Sequence, residues 1–206
     1  MRRGVLGARF RVAVENGRSA IQQPKIRDPA PETLLMWYFA YGSNMQSATL
    51  SGRRGIQFQH AVAGRVTGWR LVLDKPPLVS IGESFANIVP APGGEVMGVL
   101  YDISAADMEH IDVSEGVLLG NYRRIEIAAI PLAEPQQPMA AFTLTSEHRD
   151  PNLQPSTRYM ELLIAGALEH GLPAEYVEFL RRIPARPESP EAARLRPLID
   201  QVLRRG

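Results

Sequence analysis

Trp37-Tyr38-Phe39-Ala40-Tyr41-Gly42-Ser43-Asn44 is the stretch on which the fold turns. Five residues that are mostly aromatic read as a buried strand, and Gly42-Ser43-Asn44 then breaks it. Residues 45–50 follow as a short helix with Ser43 or Asn44 as its cap. Glycine lets backbone approach a ligand closely, and the N–H groups of a helix start favour an anion or a developing oxyanion. A plain strand-turn-helix corner with an Asn or Ser cap has the same appearance, so these residues alone leave both readings open.

Outward from this corner, residues 61–66, 69–73 and 86–89 read as strands. Pro90-Ala91-Pro92-Gly93-Gly94 reads as a turn, so 86–103 is expected to be a hairpin. Ser104 caps a short helix at 105–111, close to a capping box with Asp107. Residues 122–130 alternate with a period near two, and 139–145 form another strand. Helices take over after Pro155, from Ser156 or Thr157 to His170, with Gly171 as the terminating glycine. A second helix opens at Leu172-Pro173. A third, at 190–205, carries Leu195, Leu198, Ile199 and Val202 on one side, with a kink or break expected near Arg196 before Pro197. Sequence-adjacent strands followed by late helices predict an α+β fold with a mixed or largely antiparallel sheet, not a doubly wound one.

The composition bounds what this fold can do. The 206 residues hold 23 Lys+Arg, 22 Asp+Glu and no Cys, with 45% hydrophobic residues. That is enough for a single packed core. Without cysteine there is no disulfide framework, thiolate metal site or cysteine nucleophile, and the cytoplasm is the default location. No apolar run approaches the roughly 20 residues of a membrane helix. A near-zero net charge argues against nucleic-acid binding. The charge is uneven, however: residues 1–35 carry seven basic and three acidic residues, a local +4 that leaves −3 for the remainder. This leader is expected to be a disordered extension, with a targeting peptide or a start at Met36 as other readings. A DNA-binding tail is a further reading of the same charge.

The second chemical candidate is Asp112-Val113-Ser114-Glu115-Gly116-Val117. If its apolar neighbours draw Glu115 inward, desolvation makes it a usable proton shuttle; a solvated surface glutamate is the plain alternative. His60, His110, His148 and His170 are scattered, with no metal-binding spacing. No nucleophile elbow, P-loop or dinucleotide fingerprint occurs, so neither a metal nor another cofactor is expected.

Several segments carry a resemblance together. They are Tyr38-Phe39-Ala40-Tyr41-Gly42-Ser43-Asn44-Met45, Gly94-Glu95-Val96-Met97-Gly98-Val99, the 112–117 loop with Tyr122, then Tyr159, Gly166-Ala167 and Gly171-Leu172-Pro173-Ala174-Glu175-Tyr176. In this order they resemble the γ-glutamylcyclotransferase superfamily over residues 36–184. The resemblance implies a compact mixed β-barrel of about five to seven strands flanked by helices, with one cavity. It implies release of 5-oxoproline from a γ-glutamyl amino acid, the substrate's own α-amine attacking its γ-carbonyl. Glu115 matches the family's acid/base and Tyr41, Gly42, Ser43, Asn44 and Met45 its binding loop. Tyr122 and Tyr159 match its cavity tyrosines. Such a reaction carries its nucleophile in the substrate and asks the protein for one proton shuttle and a set of donors.

Residues 73–87 depart from the family's pattern and are expected to form a cavity rim that decides the leaving group. This leaves a γ-glutamylamine or pathway-tailoring cyclotransferase, and a non-catalytic ligand-binding homologue, as alternatives. Residues 1–35 and 185–206 lie outside the resemblance. The last helix is expected to pack on its own core or on a second copy, in a homodimer.

Overall fold

The computed structural model describes residues 35–204. Five strands close into a barrel in the order β1-β3-β2-β4-β5. These are β1 (Leu35–Ala40), β2 (Phe58–Lys75), β3 (Phe85–Ser104), β4 (Arg123–Pro131) and β5 (Met139–Thr145). All neighbours run antiparallel except β1 and β5, which meet in parallel through Tyr38 and Phe142. Closure leaves the short β1 paired on both sides, so its Tyr38-Phe39-Ala40 end is buried, as the aromatic run predicts. Of the leader expected at 1–35, residues 1–34 lie outside the described residues, and Leu35 is the first residue of β1.

The middle of the barrel differs from the expectation. Residues 61–66 and 69–73 belong to one long strand, and so do 86–89 and 96–103. The two pair as an antiparallel ribbon from Phe58↔Ile103 to Lys75↔Phe85. The expected turn at 90–94 is instead an irregularity within β3. The register jumps from Thr67↔Glu95 to Trp69↔Pro90, with Gly68 and Gly93 at positive φ. Prolines at 90 and 92 have no N–H to give the ladder, so the strand bulges there without reversing. The reversal lies at 76–84.

The helices follow their caps. Ser104 Oγ accepts from the Asp107 N–H at 3.0 Å and starts α1 (Ala105–Ser114). Ser156 does the same for α2 (Thr157–Glu169), and α3 (Ala174–Arg181) follows. The segment after Asn44 is not the expected capped helix. It is a 3₁₀ turn, Ser43–Met45, then a π-helical turn, Ala48–Arg53. Neither Ser43 nor Asn44 acts as a cap there. Helix α2 presses on this turn at Gly166, where an added Cβ would stand 2.6 Å from the Gln46 nitrogen.

Helix α4 (Pro190–Leu203) runs unbroken through Pro197, against the expected break. Ala193 and Pro197 are both exposed, so the carbonyl that loses its partner to proline faces water. The helix is stitched across the barrel at both ends. The Ser189 N–H donates to Glu83 at 2.7 Å and its hydroxyl to the Ile81 carbonyl. Arg53 Nε donates to Asp200 at 2.5 Å, and His110 Nε2 lies 3.0 Å from the Leu203 carbonyl.

Candidate active site

Strand β1 delivers Tyr38 to a cavity of about 520 Å³, and the segment after it delivers Tyr41, Gly42, Ser43 and Asn44. The end of α1 brings Glu115, and β4 is preceded there by Asn121 and Tyr122. Tyr159, from the first turn of α2, completes the wall beside Gly42, where a Cβ would come within 3.1 Å of its hydroxyl. Seven of the eight residues singled out from the sequence thus line one space. Met45 differs: its side chain is fully buried in the core, and its carbonyl accepts from the Tyr101 hydroxyl at 2.6 Å.

Glu115 sits where α1 ends, its carboxylate one-fifth exposed. Gly116 follows at φ 71°, a left-handed conformation that turns the chain back under the cavity. Beside the apolar neighbours read from the sequence, Glu115 has a cation and an amide. Oε1 lies 2.5 Å from Nη2 of the buried Arg54, whose Nη1 donates to Ser114 Oγ at 2.7 Å. Asn44 Nδ2 donates to the Tyr38 hydroxyl at 3.0 Å and reaches Glu115 Oε1 at 3.5 Å. Two buried atoms of this group lack a partner, Asn44 Oδ1 and Arg54 Nε.

A second cation was not singled out from the sequence. Lys75 is fully buried at the end of β2. Its Nζ donates to the Pro76 carbonyl at 2.6 Å and to Asn121 Oδ1, and stands 4.5 Å from the centre of the Tyr122 ring. No carboxylate pairs with it among the described residues, and burial lowers its pKa to about 8. Asn121 in turn donates to the Glu115 carbonyl at 2.8 Å, which links the lysine to the glutamate's loop.

The tyrosines are held by main chain. Tyr41 donates to the Leu144 carbonyl at 2.6 Å and Tyr122 to the Ala86 carbonyl at 2.9 Å, while Tyr159 accepts from the Ala86 N–H at 3.1 Å. Burial pushes the Tyr159 phenol up to about 12 and those of Tyr38, Tyr41 and Tyr122 also upward, so all four are neutral hydrogen-bonding groups near pH 7. No cluster of metal-ligating side chains occurs among the described residues. No helix there is long and apolar enough to cross a membrane.

A five-stranded closed barrel with a carboxylate, two buried cations and four tyrosines around one cavity defines a small-molecule site on an α+β scaffold. A family model described as AIG2-like matches residues 95–180. The γ-glutamyl cyclotransferase aclK of Aspergillus oryzae is 32% identical over 182 residues, 79% of this chain and 66% of that protein. The human γ-glutamylcyclotransferase is 30% identical over 165 residues, 77% of this chain and 82% of that one. A solved structure titled γ-glutamyl cyclotransferase superposes with a TM-score of 0.68 at 24% identity, covering 82% of this chain and 99% of its own. The chain belongs to the γ-glutamylcyclotransferase-like superfamily.

Proposed function

We propose that this protein cleaves a γ-glutamyl amide to 5-oxoproline and a free amine, with Glu115 as general acid/base. The observation that carries the reading is the Asn44–Glu115–Arg54 cluster in a cavity walled by neutral tyrosines. The substrate's α-amine attacks its own γ-carbonyl carbon, so a C–N bond closes the five-membered lactam while the amide C–N bond opens. Glu115 takes the proton the α-nitrogen sheds and returns it to the leaving nitrogen. Folding the γ-glutamyl chain over the carboxylate supplies the proximity.

The remaining groups divide the charges. Lys75, without a carboxylate, receives the α-carboxylate. The turn at Tyr41-Gly42-Ser43-Asn44 is the anion- or oxyanion-binding loop, lined by Tyr122 and Tyr159. Arg54 keeps Glu115 aimed inward and holds its charge in a half-buried place.

The test is release of 5-oxoproline from γ-glutamyl-alanine and from a γ-glutamyl amine. Glu115→Gln is expected to lower kcat by about 10²–10⁴-fold, the usual share of a general acid/base. Undiminished turnover in that variant rejects the assignment.

A further inference from the structure

Charge on the cavity wall is not balanced. Five of its lining residues are Lys or Arg and three are Glu. Most of these charges have a close partner. Arg54 is held by Glu115 at 2.5 Å and Arg53 by Asp200. Glu83 accepts from the Ser189 N–H at 2.7 Å. Glu188 meets two arginines, and unequally. Arg196 of α4 donates to both of its oxygens, through Nε to Oε1 at 3.1 Å and through Nη2 to Oε2. Arg158 of α2 stands 4.0 Å from Oε1 and donates no hydrogen bond among the described residues.

Helix stability does not explain where Arg158 stands. It is the second residue of α2, and a cation at the positive end of a helix is unfavourable. That first turn holds no acidic residue to offset it. The same helix dipole and a guanidinium with unused N–H groups favour a carboxylate from outside. Its side chain is 40% exposed, so an anion that reaches it keeps part of its water. Lys75, the other lining cation without a close carboxylate, feels the charge of Glu115. Arg158 instead acts on Arg53, which is tied to Asp200 of α4. The two spare cations thus serve different parts of the cavity, one beside the acid and one beside α4.

We propose that Arg158 is a specificity-determining residue that receives a carboxylate of the leaving group, with Glu188 and Arg196 as the pair that holds its place open. The proposal rests on the γ-glutamyl reading above, which gives the glutamyl α-carboxylate to Lys75, and it adds a receptor for the second carboxylate of the substrate. Glu188 is saturated by Arg196, so it tethers Arg158 loosely without neutralising it. An arriving carboxylate completes an alternating set of two arginines and two carboxylates. Glu188 and Arg196 lie in the 185–206 segment, outside the stretch that resembles the family. The start of α4 and the loop before it are then part of the substrate site, and this chain supplies two of the receptor's three charges from its own C-terminal segment.

Two substrates isolate this contact: γ-glutamyl-alanine and γ-glutamyl-alaninamide, which differ only in a carboxylate against a carboxamide. The readout is the ratio of their kcat/KM values for 5-oxoproline release, alanine over alaninamide. Taken on one preparation, the ratio does not depend on the fraction folded, and the difference in leaving-amine basicity is the same for every variant. Arg158→Gln is expected to lower the ratio about tenfold or more, the scale of a hydrogen bond to a charged group, through KM of the alanine substrate. Arg158→Lys keeps the charge without the fork and is expected to fall between. Glu188→Gln removes the competing carboxylate and is expected to raise the ratio, a direction that mere damage to the site would not give. An unchanged ratio in Arg158→Gln overturns the proposal, whether both substrates are slowed together or neither is. A lowered ratio in Glu188→Gln also overturns it. No 5-oxoproline from either substrate with the wild-type protein rejects the γ-glutamyl reading itself.

Discussion

Lys75 shows how a single buried side chain ties pH to binding. An ordinary lysine titrates near 10.4; burial brings this one to about 8. Between those values the unfolded chain binds the extra proton and the folded chain does not, so this group's contribution to stability rises with pH through that window. Binding has the opposite sign. Below pH 8 the ammonium is charged and, under the proposed function, meets the α-carboxylate of a γ-glutamyl group; above it the charge is lost. The groups facing it are Glu115, whose charge favours the ammonium, the Asn121 amide and the Tyr122 ring. KM is therefore expected to climb as pH passes about 8, approaching tenfold per unit, while Lys75→Arg keeps its charge and flattens the climb. A steady-state pH profile of both proteins checks this; parallel profiles would remove Lys75 from substrate binding. Neither Lys75 nor Arg54 was legible in the sequence. Neither lies in a motif that points to a site, and their partners lie 46 and 61 positions away. Glu115 and the Tyr41–Asn44 corner were legible because a strand, a turn and a glycine surround them in short motifs. The resemblance, which joined motifs separated by about seventy positions, brought them to one site.

At the scale of elements, the sequence was most informative where side chains alternate or a cap is present. Residues 139–145 are a strand with those limits, and Ser104 and Ser156 cap the helices expected of them. It misled where local chemistry and sheet closure compete. Pro90-Ala91-Pro92-Gly93-Gly94 has every mark of a turn, yet pairing with β2 on either side carries the strand across it. Pro197 is a helix breaker whose cost is met by water because that side of α4 is exposed. The α2 contact yields a prediction. Gly166 lies against the backbone of Met45 and Gln46, so Gly166→Val forces α2 away from the turn that carries Ser43 and Asn44. A loss of about 1–3 kcal/mol in urea denaturation is expected, with a fall in kcat because the turn shifts. Ser104→Ala, which removes the cap on the Asp107 N–H and the hydroxyl's bond to the Asp107 carboxylate, is expected to cost about 1 kcal/mol with turnover intact.

Over the whole molecule, stability is unevenly distributed. The barrel strands hold the largest fully buried side chains, among them Phe39, Ile88, Leu100 and Tyr101. Helix α4 buries only Ala192 and Leu203 and is otherwise tethered by hydrogen bonds and ion pairs. Such an element opens at lower free energy than the strands it covers. Amide hydrogen exchange is expected to be fast in α4 and slow in β3 and β5. Equal protection of α4 and β3 in the free protein would contradict this division.

The order of synthesis adds a consequence of the stitched helix. A ribosome releases all five strands by Thr145, so the barrel can close while α4 is still being made. For that interval the nascent chain holds its acid and its tyrosines in a trough without a far wall, with Leu78, Val79 and Phe85 turned outward. A chaperone that samples apolar surface meets the open cavity first, and the docking of α4 ends its access.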